Sequence, residues 1–87
     1  PPQVTNLSGE YADGTVTWTW SAPQGAAPAD LTYTYESSGA GGSASGSVET
    51  TTVSVDGASG ENCMQITTVS RSSGRMSDPV RQCTDVP

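Results

Sequence analysis

The sequence predicts a single all-β sandwich spanning residues 1–87. Three observations carry that expectation: apolar residues alternating at strand period, turn chemistry about every ten residues, and no stretch with the apolar period of a helix. The clearest alternation runs from Thr15 to Trp20, with Val16, Trp18 and Trp20 on one face and three Thr on the other, as in a half-buried strand. Asp13-Gly14 supplies turn chemistry before it, and Ser21-Ala22-Pro23 ends it because Pro23 cannot donate to a ladder. A second alternation sets Leu31, Tyr33 and Tyr35 inward and Thr32 and Thr34 outward. Val53 and Val55 make a third. The inward phase assigns these aromatics to the core rather than to a sugar-stacking platform, with Tyr11, in a turn-rich segment, the exception.

Between the second and third alternations lies Ser37 to Ser47, whose Gly, Ser and Ala content is that of a flexible linker. The expectation is a mobile loop holding at most a short edge strand. Its small side chains offer little contact area for capturing a ligand.

A chain of 87 residues buries only roughly 60–65% of the surface that its unfolded form exposes. The core is expected to be thin, since 32% of residues are hydrophobic and Phe is absent. Cys63 and Cys83 are the natural staple. If Ser73-Gly74 is a hairpin tip, Cys63 and Cys83 lie ten residues either side of Ser73 and face each other. Ile66 then faces Val80, and Met64 faces Gln82. A structural disulfide in an oxidising compartment is the expectation, against a metal site or a redox pair. The chain has no His to complete a usual zinc set and no Cys-x-x-Cys.

Nine acidic residues against three Arg, with no Lys, give a net charge of −6. That balance argues against nucleic acid, whose phosphates are held by clustered basic groups. No apolar run approaches the length of a membrane span, so this segment is not expected to insert. No signal peptide is visible, and Pro1-Pro2 and Val86-Pro87 read as linker prolines around a module excised from a larger protein.

With the strands placed, the chain resembles a fibronectin type III domain over essentially its whole length. The resembling features run in order. Pro2 to Leu7 is strand A; Val16, Trp18 and Trp20 with Ser21-Ala22-Pro23 are strand B; Leu31 to Tyr35 is strand C; and Val53 to Gly57 is strand E with its turn. Val69 to Gly74 with Ser77 to Val80 forms the F-G hairpin. The resemblance implies a seven-stranded Ig-like sandwich with sheets A-B-E and C′-C-F-G, its core built on Val16, Trp18, Trp20, Leu31, Tyr33, Tyr35, Val53, Val55, Met64, Ile66 and Val80. One departure concerns the Tyr that the family usually places at the start of strand F to lock the E-F corner, where this chain has Asn62-Cys63-Met64. The disulfide and Met64 are expected to replace that lock. Counting back from Gly74 puts Cys63 at the Tyr position, whereas counting from Gly57-Ala58 puts Met64 there, and the sequence leaves both registers open. In style the chain also resembles Cys-bearing, acidic, Gly/Ser/Thr-rich modules of actinobacterial surface proteins, including those of bifidobacteria.

No acid, base or nucleophile is poised by its neighbours: His is absent, and the carboxylates Glu10, Asp30, Glu36, Glu49 and Asp56 read as solvated surface. No enzymatic activity, cofactor or metal is expected. The three Arg, by contrast, fall within eleven positions of the F-G hairpin. Arg71, Ser72, Ser73, Gly74, Arg75 and Met76 are the candidate partner-binding residues, because Arg is enriched at binding hot spots and a pre-ordered loop loses less entropy on docking. Alternatively the Arg residues only offset nearby acids such as Asp78 and keep the edge soluble. The resemblance implies a monomeric extracytoplasmic module, secreted or on a cell surface, that binds a protein. It makes a host cytokine such as tumour necrosis factor a candidate partner. The other reading is a passive spacer within a secreted bacterial polysaccharide-degrading enzyme. The sequon Asn6-Leu7-Ser8 would matter only in a eukaryotic secretory pathway.

Overall fold

The computed structural model describes residues 1–87. Seven strands form in order: β1 (Thr5–Ala12), β2 (Thr15–Ser21), β3 (Leu31–Gly39), β4 (Ala44–Val48), β5 (Thr52–Asp56), β6 (Gly60–Ser70) and β7 (Val80–Val86). A 3₁₀ turn, Pro28–Asp30, leads into β3. Every pairing is antiparallel, in one sheet ordered β1-β2-β5 and another ordered β4-β3-β6-β7. These are the two sheets expected from the resemblance.

The core lies between the sheets because the period-2 phase of each strand turns its apolar set inward. Val16, Trp18, Trp20, Leu31, Tyr33, Met64 and Ile66 are buried there with Val4 and Val86, and Tyr35, Val53, Val55 and Val80 pack half-buried around them. Trp20 meets Tyr33 edge to face, with centroids 5.5 Å apart at 69°. Such a pair contributes about 0.5–1.5 kcal/mol beyond area burial. Tyr11 remains 44% exposed on β1, so the aromatic side chains offer no stacking row.

The β6–β7 ladder opposes Cys63 to Cys83, Met64 to Gln82 and Ile66 to Val80, and the cysteines are joined with Cα atoms 4.0 Å apart. The hairpin tip nonetheless differs from the expected one. Val69 bridges Met76, and the Ser70 N–H donates to the Arg75 carbonyl at 2.9 Å, a register one residue out of step with the ladder. Ser77 to Pro79 absorbs the extra residue where Pro79 has no N–H to pair. Met64 is fully buried on the inner face, while Cys63 turns to the outer one. Of the two residues that the sequence left open for the Tyr position, Met64, counted from Gly57-Ala58, is therefore the one that faces the core.

Two expectations are corrected. The Ser37–Ser47 segment is not a loose linker, since β3 runs on to Gly39, β4 begins at Ala44 and only four residues turn between them. Those four dock on the β5–β6 corner: the Ala40 N–H donates to Glu61 O at 2.8 Å and the Gly41 N–H to Asn62 Oδ1 at 3.2 Å. Glycine is required here by close approach, as a Cβ on Gly41 would lie 2.5 Å from Asp56 O. The second correction concerns the corner lock. Buried Asn62 makes it, with Nδ2 donating to Ala58 O at 2.7 Å and Gly60 O at 3.0 Å, and Oδ1 also accepting from the Ala58 N–H at 3.4 Å. The short amide thus ties strand to turn, as a corner Tyr hydroxyl does in immunoglobulin-type sandwiches. Met64 fills space, and the disulfide pins β6 to β7 on the outer face.

Candidate functional site

The β6–β7 loop takes its shape from Asp30, at the end of the 3₁₀ turn. Leu31 opposes Ser70 in the β3–β6 ladder, so the residue before Leu31 necessarily lies beside those after Ser70. Asp30 O accepts from the Arg71 N–H at 2.7 Å. Its carboxylate accepts from the Ser70 hydroxyl at 2.6 Å and from the Ser72 amide and hydroxyl at 2.9 and 3.1 Å. The Ser70 hydroxyl bond is the main cause holding the Asp30 carboxyl below its usual range. The two Ser72 bonds and the Arg71 charge act the same way, against partial burial that pushes it up. The reading of Asp30 as merely solvated is therefore corrected. No local motif marks it, because its partners lie about forty residues on and only the register brings them together.

The six candidate residues divide. Arg71 directs its guanidinium to Glu49, in the β4–β5 connection, and not to Asp78. Ser72 is occupied with Asp30, and the Ser73 hydroxyl accepts from the Arg75 N–H at 3.2 Å. Gly74 adopts φ 72° and its N–H donates to Ser70 O at 2.9 Å, closing the tip in a left-handed conformation that glycine takes freely. Arg75 has no ion-pair partner, and Met76 is 61% exposed. The loop thus combines a tied base with two projecting side chains.

Met76 also stands at one end of two shallow adjoining depressions on the outer face of the four-stranded sheet, of about 550 and 410 Å³. Both border β4 and share Glu36, Ser45 and Gln65, and Arg81 reaches the second. Glu61 lies near Cys63 and Cys83, but sulfurs bonded to each other offer no thiolate for a metal. No helix is long and apolar enough to cross a membrane.

No family model and no curated protein matches the chain, so the stylistic likeness to actinobacterial modules finds no relative behind it. Among solved structures, the crystal structure of the rat CD45 extracellular region, domains d3-d4, matches 99% of this chain with a TM-score of 0.78 at 15% sequence identity. This chain spans about half of that one, 49% of its length. At such identity the likeness concerns the fold alone. Together with the strand orders and the outer-face disulfide, it establishes a seven-stranded sandwich of the fibronectin type III fold.

Proposed function

We propose that this chain is a non-catalytic extracytoplasmic module that binds a protein partner through the β6–β7 loop, with Arg75 and Met76 as the contacting side chains. One observation carries the reading: a loop tied down by Asp30 leaves Arg75, exposed and without an ion pair, next in the chain to the exposed Met76. Ordering is already in place before docking, and Met adapts to an irregular apolar surface while Arg meets an acidic one. Arg71 and Ser72 position the loop rather than touch the partner. The disulfide supports an oxidising compartment. An acidic-patched host protein such as a cytokine remains the proposed class of partner, on a module excised from a surface protein.

A specific observation favours the spacer reading as the second choice. β1 begins beside the β6–β7 loop, where the Gln3 side chain donates to Pro79 O at 3.5 Å, and β7 ends beside Gly60 at the far corner. Neighbouring domains would therefore attach at opposite ends of a body 40 Å long.

The experiment compares the wild-type domain with a variant carrying Arg75→Ala and Met76→Ala, at unchanged melting temperature, on an array of extracellular proteins. Loss of a specific signal in the variant is expected. Signals identical in the two, or none at all, would leave the loop without a binding role.

A further inference from the structure

Each sheet has two edge strands, and an edge presents unpaired N–H and C=O groups that natural proteins usually blunt with charge, Pro or a bulge. Three of the four edges here carry such devices. β1 shifts register between Thr5 and Ser8, β5 ends in Asp56, and β7 carries Arg81 and Asp85. β4 is Ala44-Ser45-Gly46-Ser47-Val48, without charge or Pro, paired with β3 over five consecutive residues without a bulge. Its first four residues are exposed, and it pairs with β3 alone, so its outward backbone groups have no partner in the chain.

We infer that β4 is a strand-addition site for an extended, cationic segment of another polypeptide. Backbone pairing would supply affinity, and the depressions beside β4 would receive alternate side chains from the outer face. Charge selects the occupant. Glu36, directly opposite Ser45, has no ion-pair partner and borders both depressions. A residue added beside Ser45 lies two strand spacings, about 10 Å, from the Glu36 column. A Lys or Arg side chain spans that gap over the small Ser45. A second copy of this chain is disfavoured, because each copy carries a net charge of −6 and offers no Lys on the facing edge. The inference does not depend on the β6–β7 loop binding anything.

The test uses two capped seven-residue peptides, one alternating lysine with valine and one alternating glutamate with valine, titrated into the isotopically labelled domain. The lysine peptide is expected to slow amide exchange within Ala44–Val48 by roughly tenfold or more, while the glutamate peptide leaves it unchanged. Glu36→Gln should weaken the lysine peptide by roughly two- to fivefold, and Arg75→Ala should not. Protection absent from β4, equal for both peptides, or confined to residues 71–76 overturns the inference. Protection that appears without peptide as protein concentration rises assigns the edge to a second copy, and overturns it too.

Discussion

Asn62→Ala tests whether one amide holds the β5–β6 corner. The wild-type side chain makes two short bonds to Ala58 O and Gly60 O, at 2.7 and 3.0 Å, and accepts two longer ones from the Gly41 and Ala58 N–H groups, at 3.2 and 3.4 Å. The short bonds contribute about 1 kcal/mol each and the longer ones together about as much, so the expected loss is about 2–3 kcal/mol. The corner lies near solvent, and water can reach the released carbonyls, which keeps the loss from going higher. For a domain of this size the melting temperature should fall by about 10–20 °C, read by calorimetry or circular dichroism. Asn62→Asp is the sharper probe because it keeps the shape and the acceptor but removes both donors. Its carboxylate would face two carbonyl oxygens, so its folded-state pKa is raised above the unfolded value. Protonation then favours the folded state: the deficit relative to wild type is full at neutral pH and shrinks as pH falls below that raised pKa. An Asn62→Ala domain melting within about 3 °C of wild type would refute the reasoning. So would an Asn62→Asp deficit that stays constant from neutral to acid pH.

Three other outcomes follow from the same structure. The Cys63–Cys83 bond closes a separation of 20 residues, and its removal should cost about 3 kcal/mol and lower the melting point by about 15 °C; free thiols in the native protein, or an unchanged melt after reduction, would count against it. Gly39→Ala at φ 115°, where a Cβ collides with Glu61 O, should cost about 2–4 kcal/mol by melting, against about 1 kcal/mol for Gly42→Ala at φ 95° in open space. Equal losses would show that the β3–β4 turn is not docked. Asp30 should titrate below the ordinary range of about 3.9. Because its folded pKa is depressed, its stabilising contribution is complete above the unfolded value and lost as pH falls through the folded one. A carboxyl NMR titration with its midpoint at or above the ordinary value would dismiss the Ser70–Ser72 tether.

The strands with a clean two-residue period were legible in the sequence. Val16, Trp18 and Trp20 declare their face by alternation alone, as do Leu31, Tyr33 and Tyr35, because burial on one side of a pleated strand forces that pattern. The cysteine pairing was legible for a related reason: a hairpin maps sequence distance onto cross-strand position. That mapping tolerated a tip misplaced by half a step only because Ser77 to Pro79 takes up the difference. Ser37–Ser47 failed as a reading because composition cannot distinguish glycine used for freedom from glycine used for closeness. Gly39 and Gly41 are small so that the turn can approach the β5–β6 corner, and that corner is built by residues about twenty positions later. The roles of Asp30, Glu49 and Asn62 were equally hidden. A carboxylate or amide on its own reads as surface, and its work is defined by the backbone groups that β-pairing carries to it across the fold. Local alternation and turn chemistry thus determined which residues became strands and core. Only the assembled sheets decided which polar groups meet, because those meetings join residues distant along the chain.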